Sequence, residues 1–177
     1  MKKAMLLLFA ALLALFVSTA AMAAEAPFHI GIVTGTVSQS EDDLRGAELM
    51  IKKYGDVANG GMIQHLTYPD NFMSEMETTI SQIAGLADDP KMKVIVVNQA
   101  IPGTAEAFRR VKEKRKDILC FAGEAHEDPN VITSVADMAI NADFVSRGYL
   151  IIDTAKKLGC KTFVHISFPR HMSYETL

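Results

Sequence analysis

The chain has 177 residues, 49% of them hydrophobic, with a formal net charge of −3. A mildly acidic balance excludes a general nucleic-acid binder, whose electrostatic footprint is basic. The absence of Trp excludes a carbohydrate site built on stacked indoles.

Lys2 and Lys3 precede an apolar run from Ala4 to Val17, and Ala21-Met22-Ala23 supplies small residues for a peptidase. This reads as a signal peptide over residues 1–23, cut after Ala23. The run is shorter than the roughly 20 residues a permanent span needs. No Cys follows it, so the mature chain is expected free in the periplasm or secreted. Without Lys2 and Lys3 the 16 basic and 21 acidic residues that remain give a net charge near −5.

Strand and helix patterns then alternate. Phe28 to Val33 is a buried strand leaving through Thr34-Gly35-Thr36. Ser40 caps a helix with Glu41, Asp42 and Asp43 in its first turn, where acids suit the dipole. Its stripe of Leu44, Ala47, Ile51 and Tyr54 faces a sheet, and Gly55 stops it. Gly61 to Thr67 is a second strand with Tyr68-Pro69-Asp70-Asn71 as its exit. Met76, Ile80, Ile83 and Ala87 mark the next helix. Val94 to Val97 is aliphatic and β-branched, as expected of a central parallel strand.

That strand leaves through Asn98-Gln99, and a helix over 104–116 turns Ala107, Phe108 and Val111 inward. The helix ends in six basic residues, read as a solvated terminus complementing its dipole rather than a nucleic-acid patch. Ile118 to Ala122 is the fourth strand, followed by Gly123-Glu124-Ala125-His126-Glu127-Asp128-Pro129. Val131 to Val135 reads as a fifth strand. A helix opening near Asp143 is expected to bury Phe144, Val145, Gly148, Tyr149, Ile152, Ala155 and Leu158. Phe163 to Ile166 reads as a sixth strand, leaving through Ser167-Phe168-Pro169-Arg170-His171. Cys120 and Cys160 read as two buried free thiols, with a disulfide as the alternative.

Such alternation means α/β architecture with a doubly wound parallel sheet, which binds ligands outside the carboxyl ends of its strands. The closing strand and polar loop look like the opening of another unit, so the chain reads as a fragment.

The order of elements, with Gly148-Tyr149-Leu150 leading through Lys156-Lys157-Leu158-Gly159 into Thr162-Phe163-Val164-His165-Ile166, resembles a type I periplasmic-binding protein. Val135-Ala136-Asp137 resembles its hinge. The segments Gly31 to Glu41, Tyr68 to Phe72 and His165 to Ser173 are similar to an uncharacterised family of exported proteins, a domain of unknown function. The resemblance implies the first lobe of a two-lobed fold. An N-terminal lobe would span 24–137, a crossover helix region 138–160, and the start of a truncated second lobe 161–177. It also implies a solute-binding protein that closes on a small polar ligand and is presented to a membrane transporter or receptor. The alternatives are an exported sensor or protein-interaction module, or an exported hydrolase. One lobe alone would bind weakly or not at all. Related repressors carry a helix-turn-helix where this chain has its signal peptide, which argues against a transcriptional role.

Candidate ligand contacts follow from the strand exits. Thr36 and Gln39 join the first strand to its helix, where N–H groups and hydroxyls suit a carboxylate, phosphate or sugar; capping explains that loop equally well. Asn71 follows the second strand, where turn chemistry is the rival explanation. Asn98 and Gln99 follow the third and are harder to explain as turn residues. Glu124 and His126 lie in the most chemically loaded loop, a candidate for ligand hydrogen bonds or, with a carboxylate, a metal; no second His lies at ligand spacing, so no metal is assigned. Ser167, Arg170 and His171 follow the sixth strand, with Arg170 suited to an anionic group. A hydrolase would use Ser167, His171 and Glu124, yet no nucleophile elbow surrounds Ser167, so no catalytic residue is assigned. G-x-G-x-x-G and the P-loop are both absent, so no cofactor is expected.

Overall fold

The computed structural model describes residues 25–165. Five strands form one sheet: β1 (His29–Thr34), β2 (Ile63–Thr67), β3 (Met92–Asn98), β4 (Leu119–Gly123) and β5 (Met138–Ile140). Their order is β2-β1-β3-β4-β5 and every pairing is parallel. The expected α/β parallel architecture is therefore present, with β3 in the middle. Ile95 and Val97 of β3 and Val33 of β1 are fully buried.

The chain steps from β1 to β2 in one direction across the sheet, then from β2 through β3 and β4 to β5 in the other. With right-handed crossovers this puts α1 (Val37–Tyr54) on one face and α2 (Met76–Gly85) and α3 (Thr104–Lys114) on the opposite face. The core lies under α2 and α3, where Ile80, Ile83, Phe108 and Val111 meet Met92 and Ile95. Coverage by α1 is thinner. Of its expected stripe only Ala47 is buried, while Leu44 and Ile51 are half-buried and Tyr54 is exposed.

Three expectations change. Val131 to Val135 is not a strand: Pro129–Thr133 forms a short helix, α4, and the fifth strand comes later, at Met138–Ile140. Asp128 explains the difference, because its side chain accepts from the Asn130 N–H and Pro129 follows at the first helical position. Second, α5 (Phe144–Lys157) turns its apolar residues to solvent. Val145, Tyr149, Ile152 and Leu158 are exposed, Tyr149 by 71%. No other described element covers that face. Third, residues 162–165 form no strand, and Ile166 lies outside the described residues. Both thiols are free as expected, but Cys160 is exposed. Cys120 is buried, and burial pushes its thiol up to about 11.

The basic end of α3 is neutralised locally. Arg110 pairs with Glu77 and Glu106, Lys114 with Asp88, and Arg115 with Asp117. Lys112 reaches Asp137, whose Oδ2 also accepts from the Cys120 N–H at 2.7 Å, tying β4 to the segment before β5. Partial burial opposes the charge on Asp137, but Lys112 and the amide outweigh it and hold the carboxyl below its ordinary value. A depressed carboxyl contributes stability above its ordinary pKa and loses it as pH falls through the lowered value. Asp137→Asn should therefore cost roughly 1 kcal/mol at neutral pH. Its urea midpoint should also fall less steeply than the parent's below about pH 4. Parallel acid limbs in the two proteins would contradict this.

Candidate functional site

Strand order reverses between β1 and β3, so the connections there leave in opposite directions, the arrangement that in such sheets forms a crevice at the carboxyl edge. The residues of interest here come from the end of β3 and the start of α1.

Thr36 caps α1 from extended backbone, and its hydroxyl accepts from the Ser38 N–H at 3.3 Å. Ser40 then departs from helical geometry, with φ −160° and ψ 79°, so that α1 is two pieces joined at a kink. The helix cap expected at Ser40 falls instead on Thr36, and the acids at 41–43 lie beyond the first turn. This break turns the Ser40 hydroxyl back onto the helix start, where its single proton lies between the carboxylates of Asp42, at 3.1 Å, and Asp43.

β3 delivers the other half. Asn98 donates its side-chain amide to Asp43, and Gln99 donates Nε2 to Ser40 Oγ at 2.9 Å. Gln99 is held at φ 48°, a left-handed conformation uncommon for a residue with a side chain. Glu124, at the matching place after β4, is held at φ 45°. The close fit extends to Gly123: a Cβ there would stand 2.1 Å from Asn98 Oδ1. Ser40, Asp43, Asn98 and Gln99 therefore form one cluster across the crevice, linking α1 to β3.

Beneath it lies Tyr68, 1% exposed, whose hydroxyl has no hydrogen-bond partner. A Cβ on Gly35 would stand 2.9 Å from that hydroxyl and from Gln39 Cβ, and 3.3 Å from Ser40 Cβ, so the oxygen sits under the loop that carries the cluster. Burial, and then the charge of Asp43, push the hydroxyl well above its ordinary pKa. It is neutral, and a buried neutral hydroxyl without a partner is costly.

The other expected contacts divide. Thr36 and Gln39 come together on Asp70: Thr36 donates to its carboxylate, and Gln39 Nε2 donates to its backbone oxygen at 3.0 Å. Hydrogen bonds from Thr36 and then Ser38 hold the Asp70 carboxyl below its ordinary value. These residues staple the β1 and β2 exits and flank the cluster. Asn71 acts through its backbone, accepting from Ser74 and Glu75 in a turn. Glu124 is exposed and donates its N–H to Ile140 O, and the His126 N–H donates to Ala100 O. Glu124 has no described bond to the cluster. Ser167, Arg170 and His171 lie outside the described residues.

Sequence reasoning missed three residues. Asp43 was assigned to the helix dipole, although its spacing of three from Ser40 is that of a capping box. Tyr68 reads in the sequence only as the first residue of an exit loop. Glu127 stands in the loaded loop after β4 with no role of its own in the sequence, yet its two carboxylate oxygens accept from the N–H groups of Gly103 and Ala105 at 2.9 and 2.8 Å, capping α3 from a distant loop. No group of three or more His, Cys, Asp or Glu among the described residues is placed to hold a metal. No described helix is long and apolar enough to cross a membrane.

Two relatives from Treponema pallidum (strain Nichols), each described as "Uncharacterized protein", are similar to this chain. One is 45% identical over 148 residues, covering 82% of this chain and 67% of its own length. The other is 46% identical over 92 residues, covering 52% of this chain and 43% of its own length. Among solved structures, one described as "a Putative transcriptional regulator from Clostridium difficile 630" superposes with a TM-score of 0.67 at 26% identity. It is matched over 84% of this chain, which spans 44% of that protein. Residues 28–177 match the family described as "Protein of unknown function (DUF3798)", and the chain belongs to that family.

Proposed function

We propose that this chain forms the first α/β lobe of an exported binding protein, which holds a small polar ligand at its carboxyl edge and presents it to a membrane transporter or receptor. The observation that carries this reading is the Ser40–Asp43–Asn98–Gln99 cluster at the β1/β3 reversal, the place where such sheets bind ligands. The signal-peptide pattern of residues 1–23 supports export. The resemblance to two-lobed binding proteins supports capture between lobes.

A single lobe binds weakly, so the test uses a method that sees weak binding. Amide proton–nitrogen spectra of the mature chain are recorded with millimolar pools of amino acids, sugars, nucleosides, amines and carboxylates. The expected result is movement confined to residues 36–43 and 98–100 with at least one pool. Gln99→Ala should abolish it without lowering the melting temperature by more than a few degrees. Spectra silent to every pool would overturn the reading.

One observation favours a second reading, an exported sensor or protein-interaction module: the apolar face that α5 turns to solvent. That module would leave the crevice silent and form a stable complex with a protein instead.

A further inference from the structure

The charge around the crevice is one-sided. The segments that leave the carboxyl edge, residues 35–43, 68–75, 98–103, 123–128 and 141–143, carry nine Asp and Glu residues and no Lys or Arg. Two cations on adjoining helices do not change this. Arg45 is bound to Glu41 and Glu48, and Arg147 stands on α5, which follows the edge strand β5 on the far side of β4. His126 is the remaining titratable nitrogen of these loops.

The anion-binding device of this kind of fold is also already used. The N–H groups at the start of α3 would ordinarily welcome a phosphate or carboxylate. Here they hold the protein's own Glu127 carboxylate at 2.8 to 2.9 Å. An incoming anion would have to displace Glu127 and then face Asp43 and Asp70 with no basic side chain from these loops to pair with.

A donor-only cation fits better. Asp43 takes one bond from Ser40 and one from Asn98, which leaves acceptor capacity on a half-buried carboxylate. Gln99 commits its Nε2 to Ser40, so its Oε1 is the atom left to accept. The Tyr68 hydroxyl, buried and unpartnered, is a further acceptor beneath the same loop. An ammonium group has three N–H donors and no acceptor.

We infer that the crevice recognises a ligand through a primary ammonium group, held by Asp43, Gln99 Oε1 and the Tyr68 hydroxyl. This rests on the binding reading above and names the ligand class for it. The Tyr68 oxygen is covered in the unliganded chain. Reaching it requires the kinked Val37–Ser40 turn to lift, which the break at Ser40 permits without unwinding the longer piece of α1.

Three probes share a four-carbon skeleton and differ in charge: 1,4-diaminobutane, butane-1,4-diol and succinate. They are titrated into the mature chain while the amides of Ser40, Asp43 and Gln99 are followed. The diamine should shift these amides, and the diol and succinate should not. Asp43→Asn should weaken the diamine at least about tenfold, because it removes the charge from a partly desolvated pair. Tyr68→Phe should weaken it several-fold while leaving the melting temperature unchanged or higher, since the hydroxyl it deletes has no partner. This variant keeps the test open if Asp43→Asn folds poorly. Glu75→Gln, at an exposed acid of the same edge whose side chain makes no cap bond, guards against diffuse attraction to an acidic surface and should leave the affinity unchanged. Equal loss with Glu75→Gln, or binding of succinate or the diol as tight as the diamine's, would overturn the ammonium site; the latter would leave the binding reading standing. Silence to all three probes also overturns it, and the ligand pools above then decide the broader reading alone.

Discussion

Phe108→Ala should destabilise the chain by about 3–5 kcal/mol, the cost of emptying a fully packed aromatic site. Phe108 is completely buried on α3, within the cluster that joins α2, α3 and the sheet. Domains of this size are stable by only about 5–15 kcal/mol, so the loss is a large fraction of the whole. Urea unfolding is the measurement, and the midpoint should fall with little change in slope. Phe108→Leu, which keeps most of the packed volume, should cost distinctly less. A loss below about 1 kcal/mol for the alanine variant would mean that α3 is not seated on the sheet as described.

Gly61→Ala should be nearly as damaging for the opposite reason. A Cβ at Gly61 would stand 2.2, 2.4 and 2.5 Å from the carbonyl carbon, Cα and oxygen of Gly55. These are backbone atoms and cannot rotate away. The same carbonyl oxygen accepts from the N–H groups of Met62 and Ile63, and the Gly61 N–H donates to Asp56 O, so a shift would break the entry into β2. Overpacking of this kind costs about 1–3 kcal/mol, and a wholly backbone clash belongs at the upper end. Gly46→Ala is the internal control. No atom lies within 4 Å of a Cβ there, and the residue sits inside a helix, so the change should stabilise by about 0.5–1 kcal/mol. Thermal melts of the two variants should move in opposite directions. Movement in the same direction would refute the close approach of Gly55 and Gly61.

How much of this was legible depends on which physics decides each residue. The central strand was readable because Val94 to Val97 has a composition that only a doubly covered strand favours. Val131 to Thr133 misled because β-branched residues raise strand propensity, while the capping signal of Asp128 and Pro129 just before them decided the outcome locally. Asn98 and Gln99 were legible as polar residues at the exit of a buried strand, where amides need partners, and those partners, Asp43 and Ser40, come from the start of α1. Asp43 was not, because an acid in a first turn is already explained by the dipole. Its second role needs β3 beside α1, a relation between residues more than fifty apart that no local pattern carries. The unpaired hydroxyl of Tyr68 and the remote cap by Glu127 are likewise properties of packing. Thr36 and Gln39 were correctly placed at the edge, but Asp70 already holds them.

The exposed face of α5 has a thermodynamic consequence for the helix itself. Nucleating a helix is unfavourable, and isolated helices shorter than about 12–15 residues are marginal in water. α5 has 14 residues and none of its described side chains is buried. Its support is local: Asp143 accepts from the Ser146 N–H at 3.0 Å, and Asp153 pairs with Lys157 one turn on. A cap is worth about 1 kcal/mol and such a pair a few tenths, together comparable to thermal energy. Left uncovered, such a helix would exchange with coil on the roughly microsecond timescale of isolated helical peptides. Its rigidity is therefore conditional on contact: whatever surface covers Tyr149 and Ile152 also sets how long the helix persists.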